Sequence, residues 1–253
     1  MNLVLVEASE VARAVPGAMS AVLTGDRAQH VRQVLRAVPG DTIRIGIVDG
    51  PRGTAEVRSL DESSVTLRCD FSSETPARPR VDLLLAVPRP KVLNRLWAQL
   101  AAMGVGRIIL TNAEKVERPY FDTHVLDPAH YRPLLIEGLQ QARDTRLPIV
   151  SIHRRFRVLV EDELDALSDA RVRLAADPSG ACAIRDAAQG TPAAARVLLA
   201  IGPEGGWNAF ELSLLNAHGF TTVGLGERTL RSDTACLALL ALIHDALRPL
   251  STG

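Results

Sequence analysis

The sequence predicts an α/β domain built on a largely parallel sheet, preceded by a smaller β-rich domain. Three observations carry that reading. Before residue 72 the chain offers short segments that alternate apolar and polar residues. Residues 73–80 form a polar, proline-punctuated stretch without periodicity, ending Thr75-Pro76-Ala77-Arg78-Pro79-Arg80. After residue 80 continuous apolar runs alternate with helical patterns. Alternation with period two marks a sheet wet on one face, and unbroken apolar runs mark strands covered on both faces.

Taken in order, Thr42–Val48, Gly53–Val57 and Ser64–Cys69 read as strands separated by turn signals at Asp49-Gly50 and Asp61-Glu62. One helix, from about Asp26 to Ala37, interrupts them. This is the pattern of a small β-barrel-like domain over residues 1–72, joined by a linker over 73–80 to a second domain over 81–253. In that second domain Val81–Val87, Arg107–Leu110, Val172–Ala176, Val197–Ile201 and Thr221–Leu225 are the buried strands. Val92, Leu96, Leu100 and Met103 share one face of a helix that Gly104 stops. Strand and helix in alternation give the parallel sheet.

Composition bounds the function. The chain has 253 residues, 47% of them hydrophobic, with a formal net charge of zero, so it can fill a core and carries no global field that advertises nucleic acid. No apolar run is long enough to span a bilayer, and the opening MNLVLVEASEVAR lacks the pattern of an export signal. The reading is a cytoplasmic protein with no membrane partner. Cys69, Cys182 and Cys236 have no metal-ligand spacing, so no metal is expected and each reads as a small buried apolar residue.

Two glycine-bearing loops stand where chemistry gathers in parallel sheets, beyond the carboxyl ends of strands. The first is Ile201-Gly202-Pro203-Glu204-Gly205-Gly206-Trp207. It lacks the lysine of a Walker loop, and its glycines come too late and in the wrong spacing for a dinucleotide fingerprint. The helix behind it is well specified: Asn208 and Glu211 form a capping box. The second loop, Gly224-Leu225-Gly226-Glu227-Arg228-Thr229-Leu230-Arg231, precedes a final helix for which Ser232 or Asp233 is the expected cap. The two loops are expected to line one pocket. A solvated surface is the alternative for Arg228 and Arg231. Residues 235–243 are apolar nearly all round, so the last helix is expected either inside the domain or against a second subunit.

Ile201-Gly202-Pro203-Glu204-Gly205-Gly206, with Leu225-Gly226-x-Arg228-x-Leu230-Arg231-Ser232-Asp233-Thr234-Ala235 some twenty residues on, closely resembles the paired C-terminal motifs of the SPOUT RNA methyltransferases. The likeness is to the bacterial small-subunit rRNA uridine-N3 methyltransferases, the RsmE type. His30-Val31-Arg32-Gln33-Val34-Leu35-Arg36, followed by Gly40-Asp41 and Asp49-Gly50, is similar to the start of that family's PUA-like domain. Where the family commonly has Glu-Gln-x-Gly-Arg-x-Arg, this chain has Gln140-Gln141-Ala142-Arg143-Asp144-Thr145-Arg146.

The resemblance implies a PUA-like RNA-binding β-barrel and an α/β SPOUT domain whose C-terminal part forms a trefoil knot. It further implies a homodimer, and S-adenosyl-L-methionine held by Ile201, Gly202, Pro203, Glu204, Gly205, Gly206, Leu225, Gly226, Leu230, Ser232, Thr234 and Asp177. The substrate implied is N3 of a uridine in 16S rRNA, within the small ribosomal subunit or its precursor. For that chemistry the arginines Arg231, Arg228 and Arg146 are the candidates to stabilise the uridine anion. RNA contact is expected from His30, Arg32, Arg36, Gln141 and Arg143, with Arg32 and Arg36 at helical i, i+4 spacing. A SPOUT methyltransferase acting on another rRNA or tRNA nucleotide, or a non-catalytic RNA-binding or ribosome-assembly factor, are the alternatives.

Overall fold

Two separate sheets organise the computed structural model, which describes residues 3–248 apart from 16, 17, 181, 193, 227 and 229. Each sheet lies in one of two compact units. The first comprises residues 1–78 with 136–147, and the second residues 79–135 with 148–253. Segment 136–147 therefore clusters with the N-terminal residues, an assignment that a division along the sequence at 73–80 does not make. Residues 73–80 carry no helix or strand.

The first unit holds a six-stranded mixed sheet in the order β1–β4–β5–β6–β3–β2. Its strands are β1 (Val4–Val6), β2 (Val11–Val15), β3 (Ala18–Thr24), β4 (Thr42–Ile47), β5 (Arg52–Leu60) and β6 (Ser64–Phe71). β1 pairs parallel to β4 and the other neighbours are antiparallel. Alternate residues Val65, Leu67 and Cys69 of β6 turn inward to meet Leu23, Val31, Ile45 and Val57 in a common core, the burial expected of a half-wet sheet. Helix α1 (Gly25–Gln33) covers this core through Ala28 and Val31. It ends four residues before the expected Ala37, and Arg36 has a left-handed backbone (φ 51°). Arg32 and Arg36 thus do not share a helical face. Arg32 is also spent internally, because its Nη1 donates to the carbonyls of Asp61 and Glu62 in the β5–β6 turn.

Residues 143–146 clamp the β4–β5 turn within the same unit. Thr145 Oγ1 donates to the Gly50 carbonyl at 2.6 Å, and the Asp49 N–H donates to the Thr145 carbonyl at 2.7 Å. Arg146 Nη1 donates to the Asp49 carbonyl at 3.1 Å and lies 3.6 Å from its carboxylate.

The second unit holds a seven-stranded sheet, all parallel, in the order β11–β13–β10–β12–β7–β8–β9. In chain order its elements are β7 (Val81–Ala86), α2 (Pro90–Ala102), β8 (Val105–Thr111), the first part of α3 (Pro128–Ala142, of which residues 136–142 cluster with the first unit) and β9 (Ile149–His153). There follow α4 (Phe156–Val158), a π-turn (Leu159–Glu163), α5 (Leu164–Leu167), β10 (Val172–Ala176), β11 (Cys182–Ala183) and α6 (Ile184–Ala188). The chain ends with β12 (Val197–Ile201), α7 (Ala209–Ala217), β13 (Phe220–Gly224) and α8 (Ser232–Ala246). Every residue of β7 and β12 is buried, as their unbroken apolar runs require. The last strand, β13, enters between β10 and β11 rather than at an edge.

One charge sits inside this sheet. Asp82 of β7 is fully buried and accepts from Arg196 Nε and Ser168 Oγ, each at 3.0 Å, while Arg196 Nη2 also donates to the Pro79 carbonyl. The Asp82 carboxylate holds the Arg196 guanidinium above its usual range. Removing Arg196 would strand the buried Asp82 carboxylate, a loss of roughly 3–5 kcal/mol.

Helix α8 departs from expectation at its N-terminus. Its N-cap residue is Arg231, which makes no side-chain capping bond; Ser232 is already helical, and Asp233 Oδ2 instead accepts from Arg95 Nη2 at 3.0 Å. Cys236, Leu239, Leu240 and Ile243 are buried, whereas Thr234, Ala241 and Leu242 are exposed, so one face of the helix is free in the single chain. Among the cysteines, Cys69 and Cys236 are buried and Cys182 is not. No helix among the described residues is long and apolar enough to cross a membrane.

Candidate active site

The carboxyl ends of β10, β12 and β13 converge on a cavity of about 430 Å³, a size typical of small-molecule sites. Three walls form it. The β12–α7 loop gives Ile201 to Trp207, the β10 end gives Ala176 to Ser179, and the segment after β13 gives Leu225, Gly226, Arg228 and Leu230. Ser232, Ala235 and Leu239 of α8 close it. Local chemistry explains how each wall is held.

The first wall is braced by its own helix and by loops distant in sequence. Asn208 caps α7: its side chain accepts from the Glu211 N–H at 2.7 Å, and Glu211 returns an acceptor to the Asn208 N–H at 2.8 Å, the reciprocal box expected from the sequence. Glu211 is nearly fully buried because its other oxygen accepts from the Glu114 N–H at 2.7 Å. Asn208 Nδ2 donates to the Glu114 carboxylate as well. Next to this bridge, Lys115 Nζ donates to the Gly205 carbonyl at 2.7 Å. A Cβ on residue 205 would sit 2.7 Å from the Lys115 side chain, so glycine leaves the space in which the lysine stem lies. From the other side, the Arg89 N–H donates to Glu204 Oε1 at 3.1 Å.

The second wall is a tight turn. Asp177 Oδ1 accepts from the Ser179 N–H at 2.9 Å and from its hydroxyl, an Asx turn that fixes the carboxylate. The Asp177 N–H donates to the Val223 carbonyl at 3.0 Å. Gly180 lies so close to β13 that a Cβ there would fall 2.3 Å from the Val223 carbonyl carbon, and only glycine permits that approach.

Charge and polarity in the cavity are sparse. Asp177 and Glu204 supply carboxylates, and Arg228 supplies a cation. Trp207 is 5% exposed and packs its ring on Phe156 with centroids 5.3 Å apart, yet its Nε1–H has no hydrogen-bond partner. A buried indole donor without an acceptor costs free energy unless something else satisfies it.

Of the residues singled out by sequence, Asp177, Ile201 to Gly206, Leu225, Gly226, Arg228, Leu230 and Ser232 line the cavity. Thr234 and Arg231 do not, and both are exposed. Glu227 and Thr229 of the second loop lie outside the described residues. Trp207, Ser179, Val223, Ala235 and Leu239 are lining residues that the sequence reading assigned to structure or passed over. For Trp207 the signal was present, since it adjoins Gly206, but its apolar ring reads first as packing for α7. His30, Arg32, Arg36, Gln141, Arg143 and Arg146 belong to the other unit. There Gln141 and Arg143 are exposed, and Arg143 has a left-handed backbone (φ 59°) with its carbonyl accepting from Arg52 Nη1 at 3.3 Å.

Residues 75–244, more than half of the chain, match the RNA methyltransferase domain family, and the chain belongs to that family. By class it is a methyltransferase. Among individual proteins it is similar to ribosomal RNA small subunit methyltransferase E of Treponema pallidum, 29% identical over 96% of this chain and 90% of that protein. The protein of the same name in Bacillus subtilis is 24% identical over 87% of this chain and 88% of its own. The fold is that of ribosomal RNA small subunit methyltransferase E from Neisseria gonorrhoeae, solved bound to S-adenosyl methionine, with a TM-score of 0.75, 20% identity and 97% of both chains covered. A Legionella pneumophila protein solved with the same cofactor also gives a TM-score of 0.75, with 22% identity and 97% coverage of both chains.

Proposed function

We propose that this chain transfers a methyl group from S-adenosyl-L-methionine to N3 of a uridine in 16S rRNA, using the cavity between the two glycine-bearing loops. The observation that carries the reading is that cavity: the two loops that resemble the family's cofactor motifs converge on it, in a chain whose relatives are named for small-subunit rRNA methylation.

The lining fits the cofactor. Its sulfonium and ammonium groups are cationic, and Asp177 and Glu204 each keep one carboxylate oxygen without a protein donor among the described residues. The adenine needs a slot bounded by backbone, which Ile201 to Gly206 and Leu225 to Gly226 provide, with Leu239 as apolar floor. An acceptor on the ligand would satisfy the orphaned Trp207 Nε1–H. The bound cofactor would supply an electrophilic methyl group and leave as the neutral thioether S-adenosylhomocysteine, with the N3 proton released to solvent.

What remains for this chain is to hold the base and favour its anion. Uridine N3 carries a weakly acidic proton, so a nearby guanidinium lowers the cost of the nitrogen anion. Arg228 lines the cavity and Arg231 ends the same loop, and neither forms a hydrogen bond or ion pair with its side chain among the described residues. Arg146, the third candidate, is held by Asp49. N3 lies on the Watson–Crick edge, so the target base must be unpaired or extruded. The first unit, read as a PUA-like domain, supports RNA capture. The exposed face of α8 supports a homodimer in which a second copy covers it, and the C-terminal strand inserted inside the sheet supports the trefoil knot. The working place is the cytoplasm, on the small ribosomal subunit or its precursor.

Titration calorimetry with S-adenosylmethionine tests the cofactor reading: saturable one-site binding is expected. No heat and no saturation would leave a non-catalytic RNA-binding factor.

A further inference from the structure

The N-terminal unit contains a second cavity, of about 360 Å³, outside the residues that match the methyltransferase family. It opens beside the starts of the parallel strands β1 and β4, against the end of α1. His30, Leu35, Asp41, Thr42, Ile43 and Arg44 are the lining residues that define its chemistry.

Three features set this cavity apart from an incidental gap between elements. His30 Nε2 is shielded from solvent and has no hydrogen-bond partner. Arg44 is exposed and makes no hydrogen bond or ion pair among the described residues, in a chain where most well-placed arginines are engaged. The third is the backbone of the lining segment: Arg36, between the lining residues Leu35 and Ala37 but not itself lining the cavity, is a non-glycine residue with φ 51°, exposed and without a hydrogen bond or ion pair among the described residues. Left-handed backbone at such a residue costs free energy and concentrates at functional sites. Asp41 Oδ2 accepts from the Val38 N–H at 2.8 Å, which fixes the carboxylate and leaves its other oxygen able to accept from a ligand.

An apolar wall, an imidazole nitrogen, a fixed carboxylate and a free guanidinium are the requirements of one nucleotide. Leu35 and Ile43 offer surface to a base, His30 and Asp41 read its edge, and Arg44 meets phosphate. A duplex presents no single nucleotide to such a hollow, so the occupant is unpaired. We propose that this cavity is a subsite for one unpaired nucleotide of the RNA substrate, with a base that carries an exocyclic amino group. The carboxylate of Asp41 accepts from the amino group of cytosine, adenine or guanine, whereas uracil offers it only the single N3–H. The cavity shares no lining residue with the one proposed for methyl transfer, so its nucleotide is other than the methylated uridine. Burial, which pulls the His30 pKa below its usual range, keeps the ring neutral and able to accept or donate at Nε2. The proposal rests on the reading of the chain as an RNA methyltransferase.

The test uses the full chain and the four nucleoside 5′-monophosphates. Their titration is followed through the His30 ring proton resonances, assigned with His30→Asn, and S-adenosylmethionine binding is measured in parallel. CMP, AMP or GMP is expected to shift these resonances saturably, with UMP weaker. Arg44→Ala should weaken that binding about 10-fold, the effect of losing one charge-assisted contact. The same variant should raise KM for small-subunit rRNA with kcat and cofactor affinity unchanged. Absence of saturable shifts with all four nucleotides, an unchanged KM in Arg44→Ala, or displacement by an acidic peptide in preference to nucleotides would each overturn the subsite. Failure of the parent protein to bind S-adenosylmethionine would instead overturn the methyltransferase reading on which it rests.

Discussion

Arg228 and Arg231 share one loop but not one situation: the first lines the cavity, and the second precedes α8 without touching it. Neither side chain has a hydrogen bond or ion pair among the described residues, and on the proposed reading both face the reacting base. We therefore expect Arg231→Ala to abolish methyl transfer with the fold intact, and Arg228→Ala to lower kcat by roughly 100-fold, the usual loss on removing one group that stabilises developing charge. Single-turnover methylation of small-subunit rRNA measures both, and a fully active variant would remove that residue from the mechanism. Most of the cavity was legible at this scale because glycine, proline and acidic residues at strand ends are unusual enough to be seen. Lys115 shows the limit. No lysine stands near Gly205 in the sequence, yet one donates to its carbonyl from 90 residues away. Nothing local announces such a contact, since it exists only once β8 and β12 lie in the same sheet.

At the scale of elements, the strands with continuous apolar runs were readable, and β10 and β12 have the bounds the sequence suggested. β1 is only three residues long and gains its place by parallel pairing with β4, some forty residues away, which no short-range pattern encodes. β9 is an edge strand with Ile149 and Ile152 exposed, so it lacks both alternation and a buried run. The α1 end was misplaced because Val34 and Leu35 continue a helical pattern that the left-handed Arg36 breaks. The brace on the β12–α7 loop yields a prediction: Lys115→Ala should weaken S-adenosylmethionine binding about 3–10-fold, the value of one charged hydrogen bond to backbone, with little change in melting temperature. An unchanged Kd by calorimetry would show that the loop holds its shape alone. Helix α8 yields another. His244 is largely buried with Nε2 unpartnered, and burial is the main cause that pulls its pKa below 6.5, opposed by a hydrogen bond with the Met103 backbone. The unfolded chain thus binds a proton that the folded chain resists. Stability should be level above about pH 6.5 and fall as pH drops below it. His30 acts in the same direction. Urea denaturation between pH 5 and 8 should show a shallower slope for His244→Leu; an unaltered slope would assign the pH dependence elsewhere.

The whole molecule consists of a family-matched parallel-sheet unit that carries a cofactor-sized cavity and a β-rich unit that lies largely outside the family match. The sequence divides the chain at residues 73–80, where its rhythm changes, and the compact units part between residues 78 and 79. No sequence signal assigned residues 136–147 to the first unit, because the sequence alone suggested no element over residues 128–142, where the structure has α3. The central claim is that this chain makes N3-methyluridine in small-subunit rRNA. Mapping modified uridines in 16S rRNA from cells with and without the protein tests it most directly. One N3-methyluridine is expected to disappear when the protein is absent and to return when it is restored; persistence of every N3-methyluridine in its absence would contradict the proposed activity.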